Sequence, residues 1–148
     1  LEVAESRHFA LSRSSSRKLS GGLYHGFKAF VADIGETELT ELELNGLFHK
    51  YGSNAKHIIA HTDLKSSDRT LAILLAELRY CAENEMVNEL SDFLIRRTGR
   101  LYFEKPIADK YAHSLNEELA KLIGLNDAQE KASLNAYLKE SEDVLTFV

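Results

Sequence analysis

Apolar residues return along the chain at three- and four-residue intervals, the spacing of one helix face, and nowhere in the steady alternation of a half-buried strand. Leu44, Leu47, Phe48 and Tyr51 form the first such stripe, and Gly52 follows where a left-handed stop would end the helix. Ser53 is placed to cap a short helix carrying Ile58 and Ile59, and Ser67 or Asp68 a longer one with Leu71, Leu74, Leu75, Leu78 and Ala82 inward. Ser91 opens a further segment with Phe93, Leu94 and Leu101 inward. Pro106 suits a first helical turn, after which Ile107, Tyr111, Leu115, Leu119 and Leu122 recur until Gly124. Asn126 caps the last helix, whose inward positions are Leu134, Tyr137, Leu138 and Leu145. The pattern predicts an all-α fold, a compact bundle of five or six amphipathic helices, with no repeat of solenoid length.

Residues 12–22 are small, polar and basic and close on Gly21-Gly22, so they are expected to be a linker rather than a site for phosphate or a kinase. The domain reading is a connecting segment over residues 1–25 and a helical domain over 26–148. With 148 residues, 44% of them hydrophobic, the chain suffices for one core but not for two full domains. The single cysteine excludes an internal disulfide and Cys-rich zinc modules, and Cys81 is expected to be a buried, inert thiol. Net charge is −5, which argues against a general nucleic-acid surface, and no nucleic-acid partner is expected. No apolar run is long enough to span a bilayer. The first residue is not Met and no signal peptide is evident, so the chain is read as a piece of a longer protein.

Complete catalytic motifs are missing. The eight glycines permit neither Gly-x-Gly-x-x-Gly nor a P-loop nor Gly-x-Ser-x-Gly. His57 and His61 share a helix face at metal-ligand spacing but lack the general-base Glu of a zinc protease, and surface histidines are the preferred reading. Glu83, Glu85 and Glu89 lack the Glu-x-x-His pairing of helical di-iron proteins; solvated charges are expected, with Glu85 the one candidate for an internal partner. The densest basic stretch holds Arg96, Arg97, Arg100 and Lys105. Asp92 and Arg96 are a favourable i, i+4 pair, whereas Arg97 lies over Phe93 in helical register and must snorkel or find a buried acceptor. An arginine-anchored junction that docks on another domain is preferred to an anion site.

The run from Leu75 through Arg79-Tyr80, then Glu83-Asn84-Glu85-Met86-Val87, then Asp92-Phe93-Leu94-Ile95-Arg96-Arg97-Thr98-Gly99-Arg100-Leu101-Tyr102-Phe103, resembles the C-terminal helical domain of FAD-dependent sn-glycerol-3-phosphate dehydrogenases and α-glycerophosphate oxidases. The turn Tyr51-Gly52-Ser53 matches as well, and the similarity covers roughly residues 28–140. Two departures stand out: Leu125 replaces a usual tryptophan, and Gly21-Gly22 is followed by Leu23 where the family's flavin domain has a lysine near the substrate phosphate.

The resemblance implies a parent enzyme that oxidises glycerol 3-phosphate to dihydroxyacetone phosphate through FAD, with electrons passing to quinone or oxygen. It also implies that the flavin loop and the substrate-binding residues lie upstream. The isolated chain is therefore expected to be no enzyme, to hold no FAD and to contain no catalytic, cofactor or metal residue. Its partners are expected to be the upstream flavin and cap domains, docked through Tyr80, Glu85, Asp92, Arg96, Arg97 and Thr98. A homo-oligomer and a peripheral contact at the inner face of the membrane are compatible with this reading, and the expected compartment is the cytoplasm. The alternative is a helical domain that binds an anionic ligand or a membrane surface through residues 96–105.

Overall fold

A computed structural model describes residues 17–146. Among them are seven α-helices, a 3₁₀ turn and a π-helical turn, and no strand, so the all-α class holds. Backbone packing divides the chain into two compact units, Leu1–Ala55 and Lys56–Val148.

In the first unit, α1 (Phe27–Ile34) packs on α2 (Glu41–Tyr51). The sequence pattern had not suggested α1. Its Phe27 and Phe30 meet Phe48 of α2 at ring-centroid distances of 5.8 and 4.9 Å, and Tyr24 stands edge-on to Phe30. Thr40 and Glu43 form a reciprocal capping box that fixes the start of α2. Its end is fixed by Gly52, which is held at φ +55° while Gly21 O accepts the Ser53 N–H at 2.8 Å. A Cβ at Gly52 would lie 2.0 Å from that oxygen, so no side chain fits there. Asn54 Nδ2 donates to Ser20 Oγ at 2.8 Å, joining the same two segments.

Of the expected linker, residues 12–16 lie outside the described residues; residues 17–20 are exposed, and Gly21 is engaged as above. Ser53 is not a helix cap. It is buried inside the 3₁₀ turn Gly52–Asn54, and α3 (Ala55–His61) follows without a break.

The second unit centres on α4 (Arg69–Asn84) and α6 (Lys105–Ile123), which pack together, with α7 (Asp127–Asp143) against α6. Asp68 caps α4 by accepting from Leu71 N–H, and Asn126 caps α7 in a capping box with Gln129. The buried positions of α4 are Ala72, Leu74, Ala76, Glu77, Leu78 and Cys81, while Leu71, Leu75 and Ala82 are half-buried. Core contact thus wraps well beyond one stripe, and it takes in an acidic residue.

The core face of α6 runs through Ala108, Tyr111, Ala112, Leu115 and Leu119. Ile107, expected inward, is 37% exposed, because Pro106 sets it in the first turn beside the core rather than over it. Leu145, also expected inward, lies beyond the end of α7 and is 70% exposed. Polar bonds fasten the helices: Leu90 N–H donates to Ser133 Oγ at 2.9 Å, Asn116 Nδ2 to Glu130 O at 2.9 Å, and Tyr111 OH to Asp68 Oδ2 at 2.8 Å.

Candidate docking site

Between α4 and α6 the chain turns through Asp92–Arg97, wound as a π-helix, and the single turn α5 (Arg100–Phe103). The π winding shows in Thr98, whose N–H and Oγ1 both donate to Phe93 O, at 3.0 and 2.8 Å, one residue further than an α-helix would reach. Gly99 then takes a left-handed φ of +64°, which restarts the chain into α5.

This winding decides where the arginines point. An α-helical register sets Arg97 over Phe93; the wider turn puts Thr98 in that place. Arg97 is exposed and makes no ion pair among the described residues, so it is not the arginine with a buried acceptor. That role belongs to Arg100. Its guanidinium is within 2.6 Å of Glu77 Oε2 on α4 and 2.9 Å of Glu104 Oε2, and it lies 6.0 Å from the Phe93 ring centroid. The two side chains of the inner pair are 7% (Arg100) and 1% (Glu77) exposed. The internal carboxylate is therefore Glu77, not Glu85; Glu85 is half-buried at the C-terminal cap of α4.

The remaining motif residues serve the turn itself. Asp92 accepts backbone N–H bonds from Asn88 at 3.0 Å and Glu89 at 3.3 Å, and it pairs with Arg96. Burial pushes its carboxyl up, but those N–H donors and the Arg96 guanidinium more than offset this and hold it below the ordinary value. Arg96 also reaches Glu89 at 3.6 Å. Tyr80, half-buried on α4, stacks on the His57 ring at 6.5 Å.

Asp92, Arg96 and Thr98 thus converge on one turn, Tyr80 and Glu85 sit apart on α4 and its end, and Arg97 projects outward without an ion pair among the described residues. Glu77 and Arg100 went unremarked as a pair. The usable signal was the acidic residue inside the leucine stripe, since a buried carboxylate requires a cation.

The basic stretch offers no continuous cationic patch. Arg96 is neutralised by Asp92 and Glu89, Arg100 by Glu77 and Glu104, and Lys105 by Asp109 at 2.6 Å. Asp109 also accepts from Tyr137 OH and Ser141 Oγ, each at 2.8 Å. Burial raises the Asp109 carboxyl, and the Lys105, Ser141 and Tyr137 bonds pull it down to a net value below the ordinary one. Burial, followed by the hydrogen bond to Asp109 and then its charge, pushes the Tyr137 phenol well up.

At the histidine pair, His57 and His61 are exposed, and His61 Nδ1 is bonded to His57 O at 2.7 Å. No group of three metal-ligating side chains occurs among the described residues.

A pyrophosphate needs an open helix N-terminus with free backbone N–H groups. Side chains of Thr40, Asp68 and Asn126 cap the starts of α2, α4 and α7, and α6 begins with Lys105-Pro106, whereas α1 starts after Gly26 without a side-chain cap. A groove of about 540 Å³ beside α1 carries Lys28, Glu36 and Glu41 among its lining residues.

A family model described as the C-terminal domain of alpha-glycerophosphate oxidase matches residues 12–130. The chain belongs to that family. The aerobic glycerol-3-phosphate dehydrogenase of Staphylococcus haemolyticus (strain JCSC1435) is 34% identical over 142 residues, covering 89% of this chain and 25% of that protein. The enzyme of the same name from Staphylococcus saprophyticus subsp. saprophyticus is 37% identical over 93 residues, 62% of this chain and 16% of that protein. That of Staphylococcus aureus (strain MRSA252) is 29% identical over 147 residues, 93% and 26%. No solved structure matches. The chain spans about a quarter of the length of the curated relatives it matches. No helix among the described residues is long and apolar enough to cross a membrane.

In this C-terminal-domain family member, the stretch Asp92–Arg100 builds a turn in which Arg96 and Arg100 are paired with carboxylates of the same chain. The family motif is therefore first a structural device, and Arg97 is its one side chain directed outward without an ion partner among the described residues.

Proposed function

We propose that the chain is an accessory docking domain of an FAD-dependent glycerol-3-phosphate dehydrogenase or oxidase. It packs against the upstream flavin and cap domains and stabilises them. Residues 26–148 form the domain and residues 1–25 connect it. The observation that carries this reading is the match of 89% of this chain to 25% of an enzyme named for that reaction, together with the family model over residues 12–130. FAD and the substrate-binding residues belong to the remainder of the parent enzyme. In that enzyme electrons pass from glycerol 3-phosphate to FAD and then to quinone or oxygen, in the cytoplasm or at the inner membrane face. Arg97 is the contact the motif contributes.

The test is a flavin absorbance scan of the purified chain after incubation with FAD and removal of free cofactor, with glycerol 3-phosphate:dye reduction on the same sample. A colourless, inactive and cooperatively folded protein is the expected result. Retained flavin or turnover would overturn the reading. Arg97→Glu should leave the melting temperature of the isolated chain unchanged, because the side chain is exposed and makes no ion pair among the described residues. In the full-length enzyme the same change should lower stability or activity, and an unchanged enzyme would remove the docking role of Arg97.

A further inference from the structure

One face of the second unit is built against the usual rules for a water-facing surface. Tyr102 and Phe103 of α5 are 60% and 87% exposed, and Leu145 past the end of α7 is 70% exposed. A groove of about 370 Å³ is lined by Leu101, Tyr102, Glu140, Asp143 and Val144, which include the chain neighbours of Phe103 and Leu145. Adjacent exposed aromatic and aliphatic side chains of this size mark interaction sites more often than bare surface.

The charges around the groove are equally unusual. The last turn of α7 has no basic residue, and Glu140, Glu142 and Asp143 crowd the end where the helix dipole is already negative. Arg96 exerts an attraction on Glu140, but no ion pair engages Glu142 or Asp143 among the described residues. A second copy of this face would set these carboxylates against themselves, and an anionic membrane would be repelled by them. A cation with an apolar stem satisfies both the carboxylates and the groove.

We infer that this face docks a protein segment in which apolar side chains are bordered by Lys or Arg, carried in the longer proteins by the stretch outside the match. The inference rests on the docking reading and gives it a surface. Tyr102 and Phe103 are the anchors, Val144 and Leu145 the apolar border, and Glu142 and Asp143 the charged rim. Aromatic anchors of this kind carry most of the affinity in protein interfaces.

The chain contains no tryptophan, so a tryptophan-bearing probe can be followed without background. A short peptide of lysines and leucines with one tryptophan is titrated with the chain by fluorescence anisotropy and compared with a glutamate-for-lysine version. The expected result is salt-sensitive binding of the lysine peptide alone, weakened about tenfold by Phe103→Ser and similarly by Asp143→Lys. Both positions are exposed, so the variants should keep the wild-type circular dichroism spectrum and melting temperature. Equal binding of the glutamate peptide, no binding at all, or indifference to Phe103→Ser would overturn the inference. So would concentration-dependent self-association that Phe103→Ser abolishes, which would assign the face to a second copy. A colourless, inactive chain that fails only this titration keeps the docking reading and loses this surface.

Discussion

Arg100→Ala should be among the most damaging single substitutions in the chain, and its cost can be bounded. Arg100 and Glu77 face each other at 2.6 Å with the carboxylate side chain 1% exposed. Breaking such a pair costs about 3–5 kcal/mol, because one charge stays in a medium that solvates it poorly. About 3–5 kcal/mol is therefore expected, a melting temperature lower by roughly 10 °C in a chain of this size.

Glu77→Ala should cost less, about 2–3 kcal/mol, because Arg100 retains Glu104 at 2.9 Å. Glu77→Met combined with Arg100→Met removes both charges and should recover to within about 1 kcal/mol of the parent. Urea unfolding followed by circular dichroism at pH 7 reads all three. A loss below about 1 kcal/mol for Arg100→Ala, or a double variant no better than the worse single one, would refute this account of the pair.

Three further outcomes follow from the same geometry. Gly52→Ala should destabilise far more than Gly124→Ala in urea titrations: both have positive φ, but a Cβ at Gly52 strikes the Gly21 carbonyl at 2.0 Å while Gly124 faces nothing within 4 Å, leaving only about 1–2 kcal/mol of backbone strain there. Asp92→Ala should cost about 1–2 kcal/mol because it releases two backbone N–H groups, whereas Arg96→Ala should cost under about 1 kcal/mol because its pair is exposed to water; equal losses would count against the capping role. Asp109 titrates below its ordinary value of 3.8, so its ionised form is favoured in the fold; its contribution is complete above about pH 4 and is lost as pH falls through the lowered value, and Asp109→Asn should flatten that part of the stability profile.

Much of the architecture was legible because helix ends announce themselves by chemistry. Gly52, Asp68, Asn126 and Gly124 each sit where a cap or stop was expected, and the interiors of α4 and α6 carry the leucines that place them in a core. Capping is local, involving side chains within three residues of the backbone groups they satisfy, so sequence spacing is enough to find it. α1 escaped because its fit depends on Phe48, a partner that spacing within eight residues cannot reveal. Ser53 misled because a hydroxyl before a helix reads as a cap, whereas here the strand of backbone from Gly21 closes over the same turn.

The arginines failed to read correctly for a more instructive reason. Periodicity assigns faces by assuming 100° per residue, and that assumption breaks across a π turn and a left-handed glycine. Between Phe93 and Arg100 the winding slips by one residue and then restarts at Gly99, so each arginine after the slip faces a direction the α-helical wheel gives to a neighbour. A leucine stripe tolerates such an error, since several apolar side chains can share a core. A buried ion pair does not tolerate it, because one guanidinium must meet one carboxylate within hydrogen-bond reach. The same slip that brings Arg100 to Glu77 turns Arg97 outward, which ties the internal strut of this domain and its outward-facing cation to one piece of backbone geometry. A substitution that restored α-helical winding at Thr98 would therefore disturb both at once, with no contact to either side chain.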